Sequence, residues 1–264
     1  MHDAIFEITL NNSQFIVKFS SQELIENEGE IYTLLMKDKT YVNYIPQMIY
    51  YGIYNEFISN HFSFPNNSNF INTCYCIIVK KIVGTQLNKC NYKKHKSLII
   101  QQILKILNFL QINNIVHNDI KPDHFIFDEN TCVLKCIDFG LAKIKSKNKK
   151  QLTSKFSGNI LFCSLNAHRL CERSFTDDLE STLYTLAYLQ NDEKTPWEVN
   201  DYKYSIEELL VYTYTLKHRE SLQWVIHHMS NVFTKETVTN LMTKSKHRCN
   251  KVNYKKLLRE LMVH

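Results

Sequence analysis

The stretch IVHNDIKPDHFIF, residues 115–127, places a histidine, an aspartate and a lysine within five residues, between two apolar runs. A second carboxylate follows in CIDFGLAKI, where Asp138 and Gly140 interrupt another apolar run. Asp119 and Asp138 lie nineteen positions apart, a separation that fits a loop, two short strands and a return. The spacing therefore allows the two carboxylates to approach one another.

The first part of the chain has the pattern of a small sheet with one helix. AIFEITL and QFIVKFS alternate apolar and polar residues on either side of Asn11-Asn12, which predicts a hairpin. IPQMIYYGIY and NTCYCIIVKKIVG are two further strand-like runs, joined by the polar stretch NHFSFPNNSNF. SSQELIENEGEIYTLLMK carries its apolar residues on one helical face, with Ser20 or Ser21 as the N-cap.

The pattern changes near Gly84, after which helical spacing dominates. HKSLIIQQILKILNFLQINN is strongly amphipathic, and four later segments also have a helical pattern: DDLESTLYTLAYLQ, SIEELLVYTYTLK, SLQWVIHHMSNVF and NYKKLLRELM. The sequence thus predicts an α+β protein of one domain. A small strand-rich lobe would span residues 1–84, and a larger helix-rich lobe would span residues 85–264.

Composition limits the class of protein. With 264 residues, 44% hydrophobic and 22% charged, the chain can bury a sizeable core, which argues against global disorder. No apolar run is long enough for a membrane span, and the eight cysteines lack the spacing of a zinc site. We expect reduced thiols, and hence an intracellular protein of the cytoplasm or nucleus. The formal charge of +6 favours acidic partners only weakly, and we expect neither a membrane nor a nucleic-acid partner.

Several segments occur in the order and rough spacing of a protein kinase. They are HNDIKPDH, IDFGLAK, SGNILFCSLNAH, DDLESTLYTL and TPW, with NYKKLLREL near the end. These motifs resemble those of the casein-kinase-I and vaccinia-related kinase group. The resemblance covers residues 115–197 well and residues 1–90 only in outline, and it implies a bilobal protein-kinase-like fold. The compact length and the composition, which suggests an AT-rich genome, resemble those of genes from a large DNA virus or a reduced parasite. A viral protein would act in its host cell.

The resemblance implies transfer of the ATP γ-phosphate to a serine or threonine hydroxyl of a protein. Such transfer depends on positioning and charge neutralisation more than on covalent chemistry. Asp119 would orient the substrate hydroxyl, Lys121 would reach the transferring phosphate, and Asp138 would hold the magnesium ion that bridges the phosphates. The alternative is that His117, Asp119 and Asp138 are ordinary loop residues with no catalytic role.

The resemblance also implies a nucleotide-binding lysine in the first lobe. Lys18 in FIVKFS lies mid-strand among apolar neighbours, where a cation is costly unless it is paired. Glu28 is the best partner because apolar residues follow it at the spacing of the core face, and Glu26 and Glu30 are alternatives. A lysine that reaches solvent along an edge strand is the other interpretation.

The adenine-binding hinge would run through Val79, Lys80 and Ile82. Lys80 and Lys81 stand where the family has a hydrophobic residue and an acid. Backbone N–H and C=O groups do most of the adenine recognition there, so these side chains matter less. Whether Val79 or Lys80 lines the pocket stays open. Asp178 resembles the helix-start aspartate that braces the catalytic loop through backbone N–H groups.

Departures from the family pattern bear on activity. No glycine-rich loop precedes Lys18, so we expect an abbreviated first lobe with incomplete cover over the ATP phosphates. Asn118 replaces the arginine that would pair with a phosphate on the activation segment, so we expect no such switch. Asn159 replaces a threonine of the family and can still form hydrogen bonds.

His124 replaces the asparagine that binds a second magnesium ion. Imidazole is a poorer ligand than oxygen for Mg²⁺ and a better one for Mn²⁺. The residue is therefore either a metal ligand or a space-filling side chain that hydrogen-bonds Asp119 or Asp138.

Three functions compete. The leading one is a serine/threonine protein kinase that uses ATP with Mg²⁺ or Mn²⁺. The basic run at 142–155, AKIKSKNKKQLTSK, either attracts an acidic or phosphorylated protein substrate or is a solvated loop. The alternative is a pseudokinase that acts as a binding or inhibitory module. A small-molecule kinase of the aminoglycoside or choline type ranks last, because such proteins usually lack the IKP, FGLAK and DDLES segments.

Overall fold

The computed structural model describes residues 4–54, 74–145, 155–198, 204–246 and 251–261. The polar stretch NHFSFPNNSNF and Lys147, Lys149 and Lys150 of the basic run lie outside these ranges. Within them, no helix combines the length and the hydropathy needed to span a bilayer.

A hairpin begins the described chain, as its alternating pattern predicts. Strand β1 (Ala4–Leu10) pairs antiparallel with β2 (Ser13–Ser20). Asn11 and Asn12 have φ angles of 48° and 61°, the left-handed backbone that a two-residue hairpin turn requires. Strands β3 (Met48–Ile53) and β4 (Tyr75–Lys80) complete a sheet of order β1-β2-β4-β3 in the part of the chain that the structure describes.

One helix packs against this sheet. Helix α1 (Gln22–Leu35) begins at Ser21, whose hydroxyl accepts a hydrogen bond from the Leu24 N–H at 3.4 Å. Gly29 lies directly under the Tyr51 ring of β3, and a Cβ atom at this position would lie 2.1 Å from Tyr51 Cγ. The glycine therefore allows the helix to approach the sheet closely. A short 3₁₀ helix (Lys39–Asn43) follows.

The second part of the chain is mainly helical. Its long helix α2 (Tyr92–Ile112) lies buried in the core. Short strands follow or flank it: β5 (Thr85–Gln86), β6 (Ile115–Val116), β7 (Phe125–Asp128), β8 (Val133–Cys136) and β9 (Lys143–Ile144). Strands β5, β7 and β8 form one small sheet, and β6 pairs with β9. The remaining helices are α3 (Leu165–His168), α4 (Phe175–Gln190), α5 (Ile206–Met229), α6 (Lys235–Lys246) and α7 (Tyr254–Leu261).

The helix boundaries differ from the sequence pattern at one place. The pattern predicts two helices over residues 205–217 and 221–233, but α5 runs unbroken through the junction. The three joining residues, His218, Arg219 and Glu220, include neither glycine nor proline, so nothing ends the first segment. Helix α6 is not among the predicted helices.

The architecture is α+β, with a small sheet followed by a helical part, as in protein kinases. The predicted α+β fold is therefore confirmed. The division at Gly84 into two lobes of one domain stays a prediction. The fold brings the face of β2 and β4, helix α1 and the loops around β6 to β9 to one cleft.

Candidate active site

Lys18 lies inside the sheet, because β2 pairs with β1 on one side and with β4 on the other. The Lys18 ammonium is 3.2 Å from Glu28 Oε2 and 2.9 Å from Asp138 Oδ1. The interpretation of an edge-strand lysine in solvent is therefore wrong. Glu28 is the helix residue that reaches it, whereas Glu26 and Glu30 are exposed.

The three charges alter one another's pKa. Burial alone would lower the pKa of Lys18, but Glu28 and Asp138 raise it by more, so the ammonium stays charged. Burial raises the pKa of Glu28 to about 6, against the attraction of Lys18. Burial also opposes ionisation of Asp138, but the Lys18 ammonium and its hydrogen bond lower the pKa of Asp138 to about 2. Asp138 is thus an ionised carboxylate, with its side chain 36% exposed toward the cleft.

Asp119 accepts a backbone hydrogen bond at one carboxylate oxygen and lies beside Lys121 and His124 at the other. Its Oδ1 accepts a hydrogen bond from the Asn159 N–H at 2.8 Å, and Lys121 Nζ lies 3.6 Å from its Oδ2. The Asn159 side chain turns back to accept from the Leu161 N–H at 2.8 Å. Gly158 permits this approach: its φ is +100°, and a Cβ there would lie 2.9 Å from the Asn118 carbonyl oxygen.

His124 connects the two carboxylates. Its Nδ1 is 2.8 Å from the Asp119 carbonyl oxygen and 3.5 Å from Asp119 Oδ2, while its Nε2 is 3.4 Å from Asp138 Oδ2. Burial lowers the pKa of His124, despite both carboxylates, which favours the neutral ring. A neutral ring that donates from Nδ1 to the carbonyl leaves the Nε2 lone pair facing a carboxylate oxygen. A cation between these two acceptors would satisfy both.

These residues fit a metal ion that is only partly held by protein. No group of three or more His, Cys, Asp or Glu side chains in the described ranges is arranged to hold a metal. Magnesium bound with nucleotide phosphates needs only one or two carboxylates, because phosphates and water supply the other ligands. Asp138 suits that role, and His124 would add a nitrogen that Mg²⁺ disfavours.

Helix α4 braces the loop that carries Asp119. Asp178 is fully buried and accepts hydrogen bonds from the N–H groups of His117 at 2.7 Å and Asn118 at 2.9 Å. Its burial raises its pKa to about 6. Asn118, at φ +68°, donates its side-chain amide to the Leu141 carbonyl oxygen at 2.9 Å. The contact predicted for Asp178 is therefore present.

Two residues that the sequence did not single out also hold the site. Asn27, the neighbour of Glu28, donates to the carbonyl oxygens of Gly140 at 2.9 Å and Ala142 at 3.0 Å. Arg173 donates to the Asn118 carbonyl oxygen at 2.6 Å and to the Ser157 hydroxyl at 2.6 Å. Both act on backbone far away in the chain, so no local pattern could reveal them.

The cleft beside Lys18 has a volume of about 330 Å³. The residues predicted to bind nucleotide all line it: Lys18, Glu28, Val79, Lys80 and Ile82. Apolar side chains that were not predicted line it as well: Ile5, Ile16, Ile77, Ile126 and Ile137. For Ile16 a signal exists, since a residue two positions before Lys18 on a strand shares its face.

Val79 and Lys80 both line the cleft, but the strand register places only Val79 on the sheet face that carries Lys18. Ile77 lies opposite Lys18, and Val79 lies opposite Ile16, in the antiparallel pairing of β2 with β4. Directly opposed residues point to the same face of a sheet. The Val79 side chain therefore shares the face of Lys18, whereas Lys80 is opposite Phe15 on the other face.

Comparison with known proteins gives the same picture. The protein kinase domain family matches residues 66–166, which include Asp119, His124 and Asp138 but neither Lys18 nor Asp178. A protein described as a probable casein kinase I homolog, from Encephalitozoon cuniculi (strain GB-M1), is 35% identical over 134 residues. That match covers 46% of this chain and 44% of the relative, so the chain matches less than half of the relative's length.

The chain is therefore similar to the protein kinase domain family over residues 66–166, and its α+β fold and the meeting of Lys18, Glu28 and Asp138 agree with that similarity. Over 134 residues it is also similar to the probable casein kinase I homolog.

Proposed function

We propose that this chain is an ATP-dependent serine/threonine protein kinase. The observation that carries the proposal is the double ion pair of Lys18 with Glu28 and Asp138 at the floor of a 330 Å³ cleft. In phosphoryl transfer, such a lysine contacts the nucleotide phosphates, and the acid on the neighbouring helix fixes its position. Neutralising phosphate charge is the chemistry that Mg²⁺ or Mn²⁺ supplies when bound.

Asp119 has the geometry of the group that receives the proton. Its Oδ1 is occupied by the Asn159 N–H, which leaves Oδ2 for the hydroxyl of a protein substrate. That hydroxyl oxygen would form a bond to the γ-phosphorus as the bond to the leaving ADP oxygen breaks, and its proton would pass to Oδ2. Lys121, beside Oδ2, would contact the transferred phosphoryl group as a fixed positive charge.

The substrate class is a protein hydroxyl, with a preference for acidic or already phosphorylated sequences. The net charge of +6 supports this preference. Of the basic run, Lys145 contributes little, because its ammonium is 3.1 Å from Glu172 Oε1 and is already neutralised. Lys143 on β9 is exposed and is the better candidate to attract an acidic peptide.

Radiolabel transfer from ATP tests the proposal. We expect labelling of casein, or of the chain itself, in the presence of Mg²⁺ or Mn²⁺, and its loss in Asp119→Ala. Asp123→Ala is the matched control, because Asp123 lies in the same loop and its carboxylate contacts Asn88 rather than the cleft. Labelling that survives in Asp119→Ala at the wild-type rate would overturn the assignment.

A pseudokinase is the second candidate. Its support is His124, which stands between Asp119 and Asp138 where protein kinases have a metal-binding asparagine. Such a module would bind or inhibit a partner without transferring phosphate. The absence of any label with either metal, together with no change in melting temperature on adding ATP, would favour it over the enzyme.

A further inference from the structure

A second cavity, of about 440 Å³, borders the same hinge segment as the nucleotide cleft. We call it the rear groove. It is lined by Val42, Val83, Val133, Lys135 and Asp128, which do not line the nucleotide cleft, and by Lys80, which lines both. These come from the 3₁₀ helix after α1, the hinge, and the β7–β8 hairpin. The volume is within the range of protein binding sites. Ile82, which is proposed to bind nucleotide, also lines both cavities, whereas Asp119, Lys121 and Asp138, which are proposed for phosphoryl transfer, do not line the rear groove.

The rear groove collects exposed aliphatic side chains. Val42, Val83 and Val133 are 49%, 65% and 37% exposed, and they come from three separate segments. A single exposed valine needs no explanation, because much of any protein surface is apolar. Three that line one concave site are different, since clustered exposed apolar groups mark interaction surfaces.

The rear groove is also positively charged. Neither Lys80 nor Lys135 has a carboxylate partner among the residues that the structure describes. Burial lowers the pKa of Lys135, and electrostatic repulsion from the nearby Lys80 ammonium lowers it further. Asp128 accepts hydrogen bonds from the Asn130 N–H at 2.9 Å and the Thr131 hydroxyl at 2.7 Å. Its carboxylate is therefore used within the turn that follows β7 and does not pair with either lysine.

We propose that the rear groove docks an extended acidic peptide that carries aliphatic side chains. Its carboxylates would pair with Lys80 and Lys135, and its aliphatic groups would cover the three valines. A free phosphate or polyphosphate would use the lysines and leave the valines in water, so the combination favours a peptide. The groove would therefore be a docking site separate from the site of phosphoryl transfer.

The charge contribution is tested by fluorescence polarisation with the full chain and a labelled peptide of sequence Glu-Val-Glu-Leu-Glu-Val-Glu. Lys135→Glu should weaken binding by roughly tenfold at low salt. Lys105→Glu, on an exposed position of α2, changes the net charge equally and should weaken binding by less than about twofold. Equal weakening by both variants would mean non-specific attraction and would overturn the proposal, as would the absence of binding to wild type.

The apolar contribution has its own test. Val83→Ser should weaken peptide binding severalfold, whereas Val211→Ser, at a 67% exposed position on α5, should not change it. A peptide with serine in place of valine and leucine should bind more weakly than the parent. If that peptide binds equally well, or if tripolyphosphate displaces the parent peptide as effectively as unlabelled peptide does, the groove is an anion site only and the proposal fails.

Discussion

Lys18 carries a positive charge into a nearly closed environment, and its two carboxylate partners explain why the fold tolerates it. Its side chain is only 12% exposed, and that of Glu28 only 4%. Burying two charges is costly, and only their mutual attraction offsets that cost. Removing one partner therefore leaves a buried, uncompensated charge that destabilises the fold. An apolar residue at this strand position would avoid the desolvation cost of burying a lysine with two carboxylates.

We therefore predict that Lys18→Met destabilises the protein by about 3 kcal/mol at pH 7, because Glu28 is left buried and unpaired. Lys81→Met is the control: Lys81 pairs with Glu7 at 2.5 Å, but both side chains are substantially exposed, so its removal should cost less than about 1 kcal/mol. Urea unfolding of the two variants beside wild type makes the comparison. Equal losses in both would show that the buried pair has no special role.

At the same scale, we predict that His124 influences the choice of metal in the proposed reaction. His124→Asn replaces a nitrogen donor by an amide oxygen, the atom type that Mg²⁺ prefers. The ratio of Mg²⁺-supported to Mn²⁺-supported transfer should rise by about tenfold, measured as initial rates of casein labelling. A ratio that does not move would mean that the ring only fills space between Asp119 and Asp138.

At the scale of elements, periodic segments were predictable and long-range contacts were not. The β1–β2 hairpin follows from strand alternation around Asn11-Asn12, and α1 follows from its apolar face and Ser21. Asp119 and Asp138 could be singled out because each lies in a recognisable local motif. Arg173 and Asn27 could not, because their roles depend on backbone carbonyls that only the folded chain brings near.

Lys217 on α5 is a further contact of this kind. The residue is fully buried, and its ammonium donates to the carbonyl oxygens of Ile160 at 2.8 Å and Cys163 at 2.9 Å. It also lies 5.2 Å from the centre of the Tyr184 ring. Helix α5 thereby holds the segment that follows Asn159, whose N–H contacts Asp119.

We predict that Lys217→Met costs about 2–4 kcal/mol, because two buried carbonyl groups lose their donor. Arg219→Met, on the same helix and exposed, should stay within about 0.5 kcal/mol of wild type. Thermal or urea unfolding measures both. A loss below about 1 kcal/mol in Lys217→Met would contradict the anchoring role, since it would mean that the carbonyls find other partners.

At the scale of the whole molecule, buried histidines and buried carboxylates make stability depend on pH in opposite directions. Burial lowers the pKa of His117, His124 and His168, the last to about 3, so below pH 6.5 the unfolded chain binds protons that the folded chain does not. Burial raises the pKa of Glu28 and Asp178 to about 6, which has the opposite sign. The three histidines lower the free energy of unfolding as the pH falls, and the two carboxylates raise it. The histidines outnumber the carboxylates, so we expect the free energy of unfolding to decrease from pH 6.5 to 5.

His168→Gln should flatten this dependence. His168 takes up most of one proton on unfolding in this range, so its loss should lower the slope of unfolding free energy against pH by about 1 kcal/mol per unit. Urea unfolding at pH 5.0 and 6.5 gives the slope, and His227→Gln, at an exposed position of α5, should keep that of wild type. An unchanged slope in His168→Gln would show that the histidine is not held neutral in the fold.

Lys18 and Asp138 meet in one cleft, and we propose that they hold a metal-bound nucleotide there. Equilibrium binding of a fluorescent ATP analogue, with and without Mn²⁺, tests it most directly in wild type, Asp138→Asn and the same-loop control Asp123→Asn. We predict that Mn²⁺ tightens binding by about tenfold in wild type and in Asp123→Asn, and has no effect in Asp138→Asn. Equal metal dependence in all three proteins, or no binding of the analogue to wild type, would contradict the account.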